Sequence, residues 1–197
     1  MIKRGFDIFF AFVGILFLLP IYTLIAILIK IDSKGSIVYK QERIGEKGIP
    51  FKVFKFRTMK PNSFAKGTLT IGSRDARVTR VGYYLRKYKL DELPQLFNVL
   101  MGDMSFVGPR PEIRKYTDLY TEEQRKILDV KPGITDYASI KFRNENDILA
   151  VSDDPEKLYI EKIMPQKIEL NMMYINDYNI LKDIRIILET FYTIIKH

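Results

Sequence analysis

Ile8 to Ile29 reads IFFAFVGILFLLPIYTLIAILI, 22 positions without a charged side chain. A run of that length can cross the hydrocarbon core of a bilayer as a helix. Pro20 falls in its middle, where it removes a backbone hydrogen bond and bends a helix. Lys3 and Arg4 precede the run and Lys30 and Lys34 follow it, so both flanks favour the cytoplasmic side. A helix that dips in, breaks at Pro20 and returns meets that preference, whereas a straight span leaves one basic flank on the far side. A buried helix in the core of a soluble protein is the third alternative. The run is too long for a cleaved signal peptide, and Lys30-Ile31-Asp32-Ser33-Lys34 stands where a small-residue cleavage site would be.

The 197 residues suffice for one domain with a real core. Cysteine is absent and the single histidine is His197. Cysteine nucleophiles, Ser-His triads, disulfides and His/Cys metal cages are therefore excluded. Covalent chemistry falls to Asp, Glu, Ser, Thr, Lys or Tyr, and a metal would be a hard ion on oxygen ligands. The net charge of +8, from 32 basic against 24 acidic residues, suits an anionic partner such as a phosphorylated substrate, an acidic lipid or a nucleic acid.

Beyond Lys34-Gly35 the pattern changes to short strands. Ile37-Val38-Tyr39 and Phe51 to Thr58 flank Gly45-Glu46-Lys47-Gly48, a hairpin signal. Alternation over Phe54-Lys55-Phe56-Arg57 turns the phenylalanines inward and points Lys55 and Arg57 together to the other face. That face is either solvated or phosphate-binding. Pro61 to Ser73 reads as a mobile loop, and Arg80 to Lys89 as a helix. Glu112 to Leu128 predicts a charged surface helix, with a capping sequence at Thr121-Glu122-Glu123-Gln124. Asp153-Asp154-Pro155 starts a further helix that Pro165 limits. The last helix carries Ile180, Ile184, Ile187, Leu188, Phe191 and Ile195 as a stripe that packs on the core or lies on a membrane surface, with core packing favoured.

The chemically suggestive stretch is Leu90-Asp91-Glu92-Leu93-Pro94-Gln95. Asp91 is an N-cap type of residue, Glu92 favours a first turn, and Pro94 is tolerated only before the hydrogen-bond ladder begins. Leu93, Leu96, Phe97 and Leu100 then recur at helical spacing. Taken alone, such a pair is an ordinary cap. A second fixed point is Pro109-Arg110-Pro111, where two prolines aim one guanidinium; alone, it is a rigid turn.

The ordered set of segments resembles the small monotopic phosphoglycosyl transferases, the bacterial sugar transferase family. The matching stretches are the proline-broken hydrophobic helix, Gln41-Glu42-Arg43-Ile44-Gly45, Phe54 to Met59, Asp75 to Gly82, Leu85-Arg86 and Leu90 to Gln95. Phe97 to Leu100, Gly102 to Ser105, Gly108 to Pro111 and Lys131 to Thr135 complete the set. The resemblance implies a mixed α/β fold, mainly helical with a small β-hairpin or sheet. In it, residues 1–32 form a Pro20-kinked re-entrant membrane helix. Residues 33–197 form a cytoplasmic catalytic domain whose amphipathic helices lie at the interface.

It also implies an activity: transfer of a sugar 1-phosphate from a UDP-sugar to undecaprenyl phosphate with release of UMP, the first membrane step of glycoconjugate assembly. By that similarity Asp91 is the nucleophile and a ligand of Mg²⁺, and Glu92 assists in proton handling and orientation. Arg86, Arg110 and Arg143 are the candidates for binding the diphosphate, with Lys55 and Arg57 in support. The implied location is the cytoplasmic face of the bacterial inner membrane, in contact with its lipids, and the family relationship allows a homodimer. Two departures stand out. Leu19 replaces the serine that many members place before the membrane proline, and Asp136-Tyr137-Ala138-Ser139 replaces Gly-Trp-Ala-Gln. Rival readings are a non-catalytic membrane scaffold that binds polyprenyl phosphate or assembly partners, and a basic nucleic-acid binder. The latter lacks any recognition motif, so no nucleic acid is expected as partner.

Overall fold

The computed structural model describes residues 2–61 and 76–196. The loop read over Pro61–Ser73 lies beyond Pro61 outside the described residues, as do Asp75 and His197. Helix α1 (Ile2–Asp32) runs unbroken through Pro20. Thr23, one turn on, donates its hydroxyl to the Leu19 carbonyl at 3.0 Å, an added bond beside the proline.

α1 buries only a narrow stripe. Ala11 packs with Val53, Val99 and Met104, while Ile25 and Ile29 pack with Phe56 and Leu85. Its other faces leave Phe9, Phe12, Leu16, Phe17, Leu24 and Ile27 exposed. Many large apolar side chains exposed along one helix mark a surface suited to a membrane or a partner. The soluble-core alternative is thereby set aside: the helix is apolar all round, yet it is covered on one side only.

Both ends of α1 are fastened to the same body. At the start, Lys3 pairs with Asp183, Arg4 donates to the Val99 and Leu100 carbonyls, and Asp7 accepts from Ser105 Oγ and Phe106 N–H. At the end, Arg57 donates to the carbonyls of Ile29, Ser33 and Lys34, and the Asp32 carboxylate accepts from Val81 N–H. In between, Tyr22 Oη donates to the Leu93 carbonyl at 2.7 Å.

The predicted hairpin forms from β1 (Val38–Ile44) and β2 (Pro50–Phe56), antiparallel with Val38 opposite Phe56 and Ile44 opposite Pro50. Its turn places Lys47 and Gly48 at positive φ. Helix α2 (Arg80–Lys87) is capped by Thr79, whose hydroxyl accepts from Gly82 N–H. Helix α3 (Gln95–Met101) ends in left-handed Gly102.

A second sheet, which the sequence reading did not foresee, pairs β3 (Ser105–Val107) with β4 (Gly133–Thr135) in parallel. Three-residue strands leave too little alternation to read. The two backbones converge so closely at Gly108 and Gly133 that a Cβ on Gly133 would sit 2.1 Å from the Gly108 nitrogen. That crossing fixes where Pro109-Arg110-Pro111 departs.

The long surface helix expected over Glu112–Leu128 is replaced by α4 (Arg114–Thr117) and a 3₁₀ stretch, Gln124–Asp129. Tyr116, Tyr120 and Ile127 turn inward here, which a solvated helix would not allow. The capping sequence does form: Thr121 and Gln124 each accept the other's backbone N–H through their side chains, at 3.0 and 3.2 Å.

Further on lie α5 (Tyr137–Lys141), α6 (Glu145–Ala150) and α7 (Pro155–Leu158), the last capped by Asp154. α7 leads through a π-helical turn, Tyr159–Ile163, into α8 (Met164–Asn176). Pro165 therefore does not end a helix; it sits in the first turn of α8, where no donor is needed. Helix α9 (Ile180–Ile195) buries Asp183 and Ile186, and leaves Ile184, Leu188, Phe191 and Ile195 exposed. The apolar stripe thus faces outward, contrary to the core packing favoured from sequence.

Candidate active site

Leu90, Asp91 and Glu92 form a single 3₁₀ turn between α2 and α3. Asp91 caps nothing; the residue before the turn is Lys89, in the left-handed region at φ 56°, and the helix expected from Asp91 begins only after Pro94, its N-cap residue. The reversal at Lys89 turns both carboxylates inward: Asp91 is 7% exposed, and the Glu92 side chain 11%.

The two neighbours live in different surroundings. Glu92 is held by Arg110, which reaches it with both terminal nitrogens, one of them at 3.2 Å, and by Lys55 Nζ at 3.1 Å. Burial works against its charge, yet Arg110 and Lys55 outweigh burial and hold the carboxyl well below the usual range. Arg110 in turn keeps its proton more firmly than a free guanidinium, chiefly because Glu92 faces it.

Among the described residues the Asp91 carboxylate accepts no hydrogen bond and joins no ion pair. Burial and then the Glu92 charge push its pKa up, and Lys55, Lys89 and Arg86 offset them from a distance. Of two adjacent acids, one is anchored and the other is open, with their proton affinities pulled apart.

Other elements set this geometry. Asn98, fully buried on α3, accepts from Phe54 N–H at 2.9 Å and donates to the Lys52 carbonyl at 2.8 Å. It locks β2 to α3 and so sets Lys55 against Glu92. Asp136 accepts from Arg110 N–H at 3.0 Å and caps α5 through Ser139 N–H. Arg86 donates Nε to Thr58 Oγ1 at 2.9 Å.

Of the residues singled out from sequence, Asp91, Glu92, Lys55, Arg86 and Arg110 converge. Arg57 does not join them. The strand ends at Phe56, so alternation stops, and the Arg57 guanidinium turns to the carbonyls closing α1. Arg143 lies half-buried in the turn between α5 and α6, with no hydrogen bond or ion pair among the described residues. Sequence reasoning passed over Lys89, Asn98 and Asp136 as site residues. An amide in the apolar run Leu96–Leu100 had to find buried partners, and Asp136 with Ser139 three residues on is a cap signature. Lys89 carried no such signal.

The sequence profile described as bacterial sugar transferase matches residues 1–197. The chain is 38% identical over 199 residues to the UDP-N-acetylgalactosamine-undecaprenyl-phosphate N-acetylgalactosaminephosphotransferase of Aeromonas hydrophila, covering 98% of this chain and 44% of that protein. It is 37% identical over 198 residues to the UDP-glucose:undecaprenyl-phosphate glucose-1-phosphate transferase of Escherichia coli (strain K12), covering 96% of this chain and 39% of the relative. The exopolysaccharide production protein PSS of Rhizobium leguminosarum bv. phaseoli is 36% identical over 197 residues, with 96% and 93% covered. This chain thus spans less than half the length of the first two. Profile and relatives agree, and together they establish that the chain belongs to the bacterial sugar transferase family.

Proposed function

We propose that this chain is a monotopic phosphoglycosyl transferase that moves a sugar 1-phosphate from a UDP-sugar to undecaprenyl phosphate at the cytoplasmic face of the bacterial inner membrane. The observation that carries the reading is the open Asp91 carboxylate beside the anchored Glu92. An Asp91 oxygen attacks the β-phosphorus of the donor. The bond from that phosphorus to the bridging oxygen breaks, and UMP departs with the electron pair. The sugar phosphate is left as an acyl phosphate on Asp91. An oxygen of undecaprenyl phosphate then attacks the same phosphorus, restoring the carboxylate and giving the diphosphate-linked sugar. A carboxylate needs no base to become nucleophilic at neutral pH, which suits a chain whose single histidine is His197.

Glu92 orients Arg110 and Lys55, whose charges would meet the developing charge on the diphosphate. Arg86 adds positive field at Asp91. Arg143 is free to turn toward a donor. The family resemblance implies Mg²⁺. Among the described residues no group of three or more acidic or histidine side chains is gathered around a point. One unpartnered carboxylate fits an ion shared with the substrate's phosphates rather than one caged by protein alone. Asp91 would hold it, and bound there it would supply charge neutralisation on the diphosphate.

A monotopic placement, with residues 1–32 in the membrane and 33–197 on the cytoplasmic side, is supported by the fastening of both ends of α1 to one body. Because α1 runs unbroken through Pro20, both flanks stay on one side through these ties to the body and not through a fold-back at the proline. Labelling single cysteines at positions 3 and 33 in sealed vesicles tests this, and labelling from opposite sides would overturn it. The activity is tested by UMP release from UDP-N-acetylgalactosamine and UDP-glucose with undecaprenyl phosphate and Mg²⁺. Release of UDP in place of UMP, or no nucleotide release from any donor, would overturn the reading.

A further inference from the structure

A second buried charge cluster lies beside the candidate site and has no part in the chemistry described above. Glu112, two residues after Arg110, is enclosed by Tyr159 Oη, by Lys167 Nζ at 3.4 Å and by Arg43 at 3.6 Å. Its backbone carbonyl also accepts from Ile44 N–H at 2.8 Å, which ties it to the end of β1. Glu145, two residues after Arg143, meets the same ammonium at 3.1 Å. Lys167 also touches Tyr159 Oη at 3.3 Å and lies over that ring, 5.1 Å from its centroid. The π-helical turn preceding α8 is what brings Tyr159 inward on the side of Lys167. Because Glu112 and Glu145 meet the same ammonium, the Arg143 segment lies beside the Arg110 segment.

One buried ammonium therefore joins two segments that are remote in sequence. Each segment carries an arginine two residues before its acid. Removing Lys167 would leave Glu112 and the half-buried Glu145 as like charges with no cation between them, and the segments would separate. We propose that Lys167 is a positioning residue for the donor: by bridging Glu112 and Glu145 it holds the Arg110 and Arg143 segments at one separation, matched to the nucleotide diphosphate-sugar. The inference rests on the transferase reading above. The half-buried, unpartnered Arg143 gains a defined approach to the donor from this bridge, because Glu145 at the start of α6 sets where its turn sits.

In a two-step transfer through Asp91, kcat/KM for the donor reports the first half-reaction and kcat/KM for the acceptor the second. Lys167→Met in the full chain is expected to lower kcat/KM for the UDP-sugar at least tenfold and to leave kcat/KM for undecaprenyl phosphate within threefold. Lys167→Arg, which keeps the charge, should stay within threefold of the parent on both. Glu145→Gln weakens one arm of the bridge and should lower the donor value by a smaller factor. Combined with Lys167→Met it should add no further loss, because both act through one contact and removing the Glu145 charge relieves the repulsion that loss of the lysine exposes. Equal loss on both substrates, or full additivity of the two substitutions, would show a purely structural lysine and overturn the inference. Should Lys167→Met fail to fold, the Glu145→Gln and Lys167→Arg pair decides by the same criterion. A parent chain that releases UMP while these variants show no donor effect overturns the Lys167 role alone. A parent chain that releases no UMP takes down the transferase reading, and this inference with it.

Discussion

Around Glu112 every charge is answered: Arg43 and Lys167 face Glu112, and Glu145 completes the coordination of Lys167. Around Asp91 the pairing stops one short. Arg110 and Lys55 close on Glu92, and the adjacent carboxylate, equally enclosed by protein, is left among the described residues with field but no hydrogen bond or ion pair. The first arrangement is what folding alone would select, since a buried charge without a partner costs stability. The second is what a binding or reacting group requires: strain kept in the resting protein and relieved when something else arrives. On the reading proposed above, two clusters built from the same residue types thus separate a positioning scaffold from a reacting group by completeness of pairing rather than by composition.

Breaking the open cluster should have the largest effect. Asp91→Asn is expected to reduce UMP release by roughly four orders of magnitude, the scale at which a catalytic group that acts as part of a set fails. The same substitution removes a buried, repelled charge, so thermal unfolding should shift upward by about 2–4 °C. Loss of activity accompanied by a lower Tm would mean that Asp91 is structural. Next comes Arg110→Ala, which strips Glu92 of its main partner. Turnover should fall about a hundred- to a thousandfold, and stability by a few kcal/mol as the Glu92 charge is orphaned, read by denaturant titration.

The pH profile sharpens the contrast between the two acids. The folded pKa of Asp91 lies above its ordinary 3.8, so the acid limb of kcat/KM for the donor should fall about tenfold per unit below a midpoint higher than that value. On stability the two acids act with opposite signs. Asp91 takes up its proton in the folded state first, so between its raised folded value and 3.8 a falling pH adds stability. Glu92, depressed from 4.5, gives stability that is present above 4.5 and lost as pH falls through its lower folded value. In the Asp91→Asn chain the Asp91 contribution should disappear while that of Glu92 remains. The smallest effect is expected from Asn98→Ala. It leaves Phe54 N–H and the Lys52 carbonyl without their partner and should cost about 1–3 kcal/mol in stability. Activity should fall less than tenfold as Lys55 loses its register.

What the chain discloses before folding follows the range of the forces involved. The hairpin, α2, the body of α3 and the cap at Thr121 were legible because turn chemistry, helical periodicity and capping act over a few residues. The long apolar helix was legible because 22 uncharged positions admit few other interpretations. Pairings at long range were not. Arg57 seemed to share a face with Lys55, but its destination was decided by where β2 ends and α1 closes. The parallel pair β3–β4 and the Glu112–Lys167 cluster join positions far apart in sequence, and no local pattern announces them. Asp91 and Glu92 were recognisable as a pair, but which of the two is held and which is open depends on Arg110, 18 positions beyond Glu92.

Tyr22, two residues past the proline of α1, donates to the carbonyl of Leu93, two residues past Asp91. With Lys3 and Ser33 also fastened, the helix cannot swing like a tether. If α1 is seated in lipid as proposed, a rise or fall of the helix would carry Asp91 with it. Under the proposed function, the thickness and lateral pressure of the surrounding bilayer would then act as a mechanical adjustment on how readily Asp91 meets an acceptor head group held at a fixed depth.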